Sequence, residues 1–251
     1  MSLFEELVEY TKEDEKIVKS FKSKNTLSPS IFENSKMKKD IRNRLLEISD
    51  DFINSFGVEF FIHDIVLTGS LANFNWSEYS DVDLHILIDM SELGENTSLT
   101  TIIMKEFFDA KKDVWNKNHE IKIKGFDVEV YVQDLNEPHI SSGVYSILHD
   151  KWEIEPKKEN PNIDDRKILE KGEEFAKKID SLVSIGPRPE NLPKIKELRK
   201  RIKKFRQSGL ETGGEFSYEN LTFKLLRRNG YINKLLKLET KIKDTKLSIT
   251  Q

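Results

Sequence analysis

Apolar and polar positions follow two different periods along this chain, and the change of period marks out its elements. Ile41, Leu45, Ile48 and Phe52 recur every three or four residues, which predicts a helix over about 37–55 that ends at Gly57. Positions 58–67 read as one or two strands, broken near His63-Asp64. From Asp81 onward the period becomes two: Val82, Leu84, Ile86 and Ile88 alternate with Asp81, Asp83 and His85. That alternation marks a half-buried strand with its aspartates on one face and its aliphatics on the other. A helix capped at Asn96-Thr97-Ser98 is expected to run to about Asn118, with Ile103, Phe107, Ala110 and Val114 as its buried face. Ile121, Ile123 and the alternating Phe126, Val128, Val130 and Val132 then return a strand to the same sheet. Asp127, Glu129 and Tyr131 lie on that strand's other face.

The flanks read differently. Residues 3–23 form a charged, helical arm with a thin stripe of Phe4, Leu7, Ile17, Val18 and Phe21, broken at Leu27-Ser28-Pro29. Residues 134–162 are loop-rich, with Pro138, Pro156 and Pro161, and Tyr145 and Trp152 are expected to seal the sheet edge. Beyond a boundary near 156–162 the pattern is helical throughout. Ile168, Phe175, Ile179 and Leu182 define one helix, and Ile195, Leu198, Ile202 and Phe205 another. The outer face of the second is Lys194, Arg199, Lys200, Lys203, Lys204 and Arg206. A Gly-rich turn over 210–216 leads to a last helical pair, which carries Leu221, Leu225, Leu235 and Leu236 and is interrupted at Asn229-Gly230. The expected class is α+β: a short mixed sheet flanked by helices, then a helical C-terminal domain. The expected division is an arm over 1–36, a core over 37–160 and a basic helical domain over 161–251.

Composition narrows this picture. Charged residues make up 34% and apolar residues 37%, which is polar for a folded chain but too aromatic for a disordered one. No apolar run approaches the roughly 18 residues of a membrane span, and the acidic N-terminus lacks a basic-then-apolar leader. With no cysteine, disulfides and thiolate zinc sites are excluded, and a cytoplasmic location is the default expectation. Charge is uneven. Positions 194–251 hold 16 Lys and Arg against 6 Asp and Glu, a balance of +10 within a chain of net charge −3. Either these are the solvated faces of amphipathic helices, or they meet a polyanion such as RNA.

Candidate chemistry gathers in one stretch. A strand ends at Gly69-Ser70, ten residues intervene, and Asp81-Val82-Asp83 opens the next strand. Glycine permits a close backbone approach, Ser70 offers a hydroxyl, and the N–H groups of a following helix start would favour an anion. Two carboxylates on one strand face repel unless a cation sits between them, and Mg2+ is the usual solution when phosphates complete its coordination. Gly-Ser alone carries no signal, and Asp-x-Asp alone carries little; together, at this spacing and on strand-like flanks, they carry more.

The stretch resembles the signature of the DNA polymerase beta-like nucleotidyltransferase superfamily, its Ser-Asp-x-Asp-Leu form being closest to the minimal nucleotidyltransferases. Over the whole chain there is also a likeness to phage-encoded members. The resemblance implies two Mg2+ ions (or Mn2+) bridged by Asp81 and Asp83, and a third carboxylate from the later strand. Asp127 and Glu129 share the required face, and Val128-Glu129-Val130 fits the family pattern better. Gly69 and Ser70 would hold the phosphates of a nucleoside triphosphate. Lys224, Arg227 and Arg228 of the helical part would touch the triphosphate, or else form a solvated helix face.

The implied reaction moves NMP from the triphosphate to an acceptor hydroxyl and releases pyrophosphate. The acceptor would be an RNA end; a protein, a small molecule, or a second nucleotide in a signalling product are the alternatives. Phe74 and Trp76, between the glycine and the aspartates, are either buried support or a base-stacking platform. His85 is either a structural neighbour or a group that touches substrate or orders a ligand; the other histidines, His63, His119, His139 and His149, are scattered.

Overall fold

The computed structural model describes residues 11–57, 59–93, 98–137 and 141–249, with only the backbone described for 98–101. The expected arm residues Phe4 and Leu7, the cap residues Asn96 and Thr97, and Pro138 and His139 lie outside them. The class is α+β. A six-stranded mixed sheet with helices forms one compact unit, Ser23–Asn160; the segment through Lys22 joins Pro161–Gln251 in the other. This differs from a separate arm over 1–36.

The sheet unit begins with a hairpin, β1 (Phe32–Glu33) and β2 (Lys36–Met37). Its central Asn34 and Ser35 both have positive φ, as a tight hairpin turn requires. Helix α2 (Lys39–Asn54) leads to β3 (Asp64–Thr68). Then come β4 (Val82–Ile88), α3 (Ser98–Asn118), β5 (Lys122–Ile123) and β6 (Phe126–Asp134). The segment read as loop-rich contains two further strands, β7 (Val144–Ser146) and β8 (Lys151–Ile154). The order is β5-β6-β4-β3-β7-β8. Only β4 and β6 pair in parallel, joined through α3; the other neighbours are antiparallel. Tyr145 and Trp152 sit on the β7–β8 edge and pack on Phe32 at 5.5 and 5.2 Å.

One sheet face is the core. Ile65 and Leu67 of β3, Val82, Leu84, Ile86 and Ile88 of β4, and Val128 and Val130 of β6 are buried with Leu45, Ile48 and Phe52 of α2. The face of α3 that joins them is not the expected one. Ile103, Phe107 and Val114 are 53%, 40% and 59% exposed, and Ala110 is exposed too. Phe108 and Trp115 are buried instead, against Phe56 at 5.3 Å and Phe52 at 5.3 Å. The helix carries two apolar stripes, and the one with Phe108 and Trp115 is buried, while Phe107 of the other lies 6.1 Å from the Phe56 ring. Aromatic pairs of this kind contribute roughly 0.5–1.5 kcal/mol beyond area burial.

In the helical unit, α1 (Lys12–Lys19) is closed by a capping box between Thr11 and Asp14. It accompanies α4 (Asp165–Ile185), α5 (Leu192–Gly213), α6 (Tyr218–Arg228) and α7 (Tyr231–Leu247). Phe175, Ile179, Ile195, Leu198, Ile202, Leu226, Leu235, Leu238 and Ile242 form its core. Leu236, by contrast, is exposed. Arg228 donates to Ser20 Oγ at 2.8 Å and covers the Phe21 ring, and Asn229 bonds Asp14. Those bonds explain why the N-terminal segment belongs to this unit. Helix α5 runs through most of the expected 210–216 turn, which shrinks to a 3-10 turn at Gly214–Phe216.

Candidate metal centre

The parallel ladder sets Asp83 of β4 directly beside Glu129 of β6, and Val82 beside Val128. Because side chains alternate across a strand, Asp81, Asp83 and Glu129 all leave the sheet on the face opposite the core. Each offers a carboxylate oxygen within 4.8 Å of the others, and all three side chains are half-buried. No other acidic or histidine group of three among the described residues is close enough to hold an ion. Asp127 shares the strand face but not the cluster. It is exposed at the start of β6 and pairs with Lys122 at 2.5 Å, which leaves Glu129 as the third carboxylate.

Gly69 accounts for the close approach. It lies at φ +71°, and a Cβ there would fall 1.8 Å from Asp83 Oδ2. Any other residue would both strain the backbone and displace that carboxylate. Asn73, buried, fixes the turn: its Nδ2 donates to Gly69 O at 2.9 Å, and its Oδ1 accepts from Ser142 Oγ at 2.9 Å. Nothing in the local sequence marks that pair, since the partners lie 69 residues apart.

Ser70 is placed differently from expectation. Its hydroxyl donates to Ser80 Oγ at 2.7 Å, and Ser80 Oγ accepts from Ser77 N at 3.0 Å. It therefore closes the ten-residue excursion on itself. The helix expected after it is a single 3-10 turn, Ser70–Ala72. Within the excursion Phe74 and Trp76 pack against the core. Trp76 Nε1 donates to Thr26 O at 2.8 Å, and Lys24 lies over its ring, so the structure gives both aromatics the supporting role.

Behind the carboxylates the ladder carries a second row, His85 beside Tyr131. The rings stack at 4.8 Å, and His85 Nδ1 bonds Gln133 Oε1 at 2.8 Å. The Tyr131 hydroxyl donates to Glu129 Oε2. Burial first, then that bond and the charges of Glu129, Asp83 and Asp81, hold the phenol well above its ordinary pKa and keep it protonated. On the edge side, Asn116 of α3 mimics a neighbouring strand. Its Nδ2 donates to Val130 O at 3.1 Å, and its Oδ1 accepts from Val130 N at 3.0 Å. One turn earlier, Lys112 Nζ stands 5.2 Å from the Tyr131 ring centre. His85 thus lies against Tyr131, and nothing in the local sequence gives Asn116 or Lys112 a role. The spacing of Tyr131 two residues past Glu129 was the one available signal.

The cations expected at the triphosphate lie in the helical unit. Arg228 is engaged by Ser20 and Phe21, and Lys224 pairs with Glu215 at 3.3 Å. Burial lowers the Lys224 pKa, with Glu215 opposing the shift. Arg227 alone of the three is exposed. Arg206, expected on the outer face, instead lies 4.4 Å over the Phe223 ring and donates to Asn220 Oδ1 at 3.1 Å. Burial, then Arg227, depress its pKa. Among the described residues, no helix is long and apolar enough to cross a membrane. Compared with protein-family models, with curated proteins and with solved structures, the chain finds no match in any of the three.

Proposed function

We propose that the chain is a metal-dependent nucleotidyltransferase that moves NMP from a nucleoside triphosphate to the hydroxyl of an RNA end and releases pyrophosphate. One observation carries the reading: carboxylates from two adjacent parallel strands share a space within 4.8 Å of one another, beside a glycine whose missing Cβ makes room for one of them. Three like charges held together on a rigid ladder are costly unless a cation joins them. An all-carboxylate donor set suits a hard ion, Mg2+ or Mn2+, rather than zinc or copper. Asp81, Asp83 and Glu129 would hold it. When bound, such ions neutralise phosphate charge and activate the attacking and leaving oxygens.

The chain's own contribution is positioning. The β4–β6 ladder sets the carboxylates before substrate arrives, and Asn73 fixes the turn that makes room for Asp83. Glu129 stands on the acceptor side by resemblance, where its carboxylate would take up the acceptor's proton. Gly69 and Ser70 would line the phosphate side.

Support for an RNA acceptor comes from α5, where Lys194, Lys196, Lys200, Lys203 and Lys204 are all exposed. RNA binding through such a face weakens steeply with salt. The test is incubation with each alpha-labelled triphosphate, Mg2+ or Mn2+, total RNA and lysate protein. Label on RNA that vanishes with chelation supports the proposal. Label on protein or on a small molecule alone moves the acceptor there. No label with any metal or triphosphate sinks the transferase reading.

A further inference from the structure

We propose that Tyr131 is a positioning residue for this centre: its hydroxyl holds the Glu129 carboxylate in place for Asp81 and Asp83 before any ion arrives. The inference rests on the metal reading above and adds a residue to it. Glutamate has one more rotatable bond than aspartate, so a third carboxylate supplied by Glu129 is the least constrained of the set. A donor on Oε2 removes that freedom, and the Tyr131 hydroxyl is such a donor.

The donor is itself immobilised. Its ring stacks on His85 at 4.8 Å, and His85 is anchored by Gln133 at 2.8 Å. Lys112 stands 5.2 Å from the ring centre, on the helix whose Asn116 grips both backbone groups of Val130, the residue between Glu129 and Tyr131. Helix α3 therefore fixes the strand and the phenol together. A side chain serving only to fill space would need none of these polar contacts. Groups that orient metal ligands typically change metal affinity or activity by about 10–100-fold when removed.

The test is Tyr131→Phe, which keeps the ring and deletes the donor, with Mn2+ affinity measured by calorimetry on the full chain. The expected result is affinity at least about 10-fold weaker with an unchanged melting temperature. Replacing Tyr131 with 4-aminophenylalanine, which restores an N–H donor, should recover most of the loss. In a Glu129→Ala background, Tyr131→Phe should change nothing further. Equal Mn2+ affinity in the Tyr131→Phe and parent proteins would overturn the proposal. So would the same loss with and without Glu129, or a Tyr131→Phe protein that binds weakly only because it is unfolded and is not rescued by the amine. A parent protein that binds no Mn2+ would remove the metal reading itself, and this inference with it.

Discussion

In the helical unit, two acidic side chains each meet a pair of bases. Glu239, only 2% exposed, receives Arg199 at 2.8 Å and Lys243 at 2.7 Å, and Glu174 lies between Lys171 and Lys178, each at 2.5 Å. In the sheet unit, Asp81, Asp83 and Glu129 are instead gathered within 4.8 Å of one another. Opposite charges in contact attract, whereas like charges this close repel one another unless a cation lies among them. Under the proposal above, Glu239 and Glu174 serve the fold, and the gathered carboxylates serve the ion they would hold. The two kinds should respond to substitution in opposite ways.

The largest effect is expected at the gathered acids. Asp83→Ala should remove at least about 3 kcal/mol of transition-state stabilisation, a hundredfold or more in transfer rate. Turnover near the parent rate would end the assignment, and a large drop in stability would blur the distinction between the two regions. Next in size is the effect of the ion. At 100 times its dissociation constant, Mn2+ should stabilise the parent by about 2.7 kcal/mol and leave Asp83→Ala nearly unmoved. A calorimetric melt with and without Mn2+ measures both. The matched acids give the converse. Glu239→Ala should cost about 2 kcal/mol of stability, since it strands Arg199 and Lys243 without their shared partner, though both stay half-exposed. Transfer activity below its unfolding temperature should be unchanged.

The site was more legible in the sequence than the fold around it. Period two pins a side chain to a face, so alternation sets Asp81 with Asp83 on one strand and Asp127, Glu129 and Tyr131 together on another; that the later strand supplies a third carboxylate is what the resemblance implies. Asp127 has the same parity, and what sets it apart is an ion pair at the strand's start, which parity cannot show. The sequence does not decide the buried side of α3, because Ile103, Phe107, Ala110 and Val114 make as regular a stripe as Met104, Phe108 and Trp115. The choice between them is made by Phe52 and Phe56, more than 50 residues earlier. Strands β7 and β8 are three and four residues long, too short for a period to register. Helix α1 belongs with the C-terminal helices through bonds such as Arg228 to Ser20, 208 residues apart, which no local pattern encodes.

The smallest effect, and the most direct contrast in kind, is the pH dependence of Glu174. Hydrogen bonds from Lys171 and then Lys178 hold its carboxyl at about 2, below the ordinary value of 4.5. A depressed carboxyl contributes stability that is fully present above the unfolded pKa and is lost as pH falls from about 4.5 toward about 2. The side chain is 39% exposed, so solvent screens most of that contribution, and less than about 1 kcal/mol should remain. Glu174→Gln should therefore be slightly less stable than the parent at pH 7, and the two urea midpoints should converge as pH approaches 2. A gap that stays constant with pH would show that Glu174 acts through packing rather than charge, and the contrast with the gathered carboxylates would then rest on Glu239 alone.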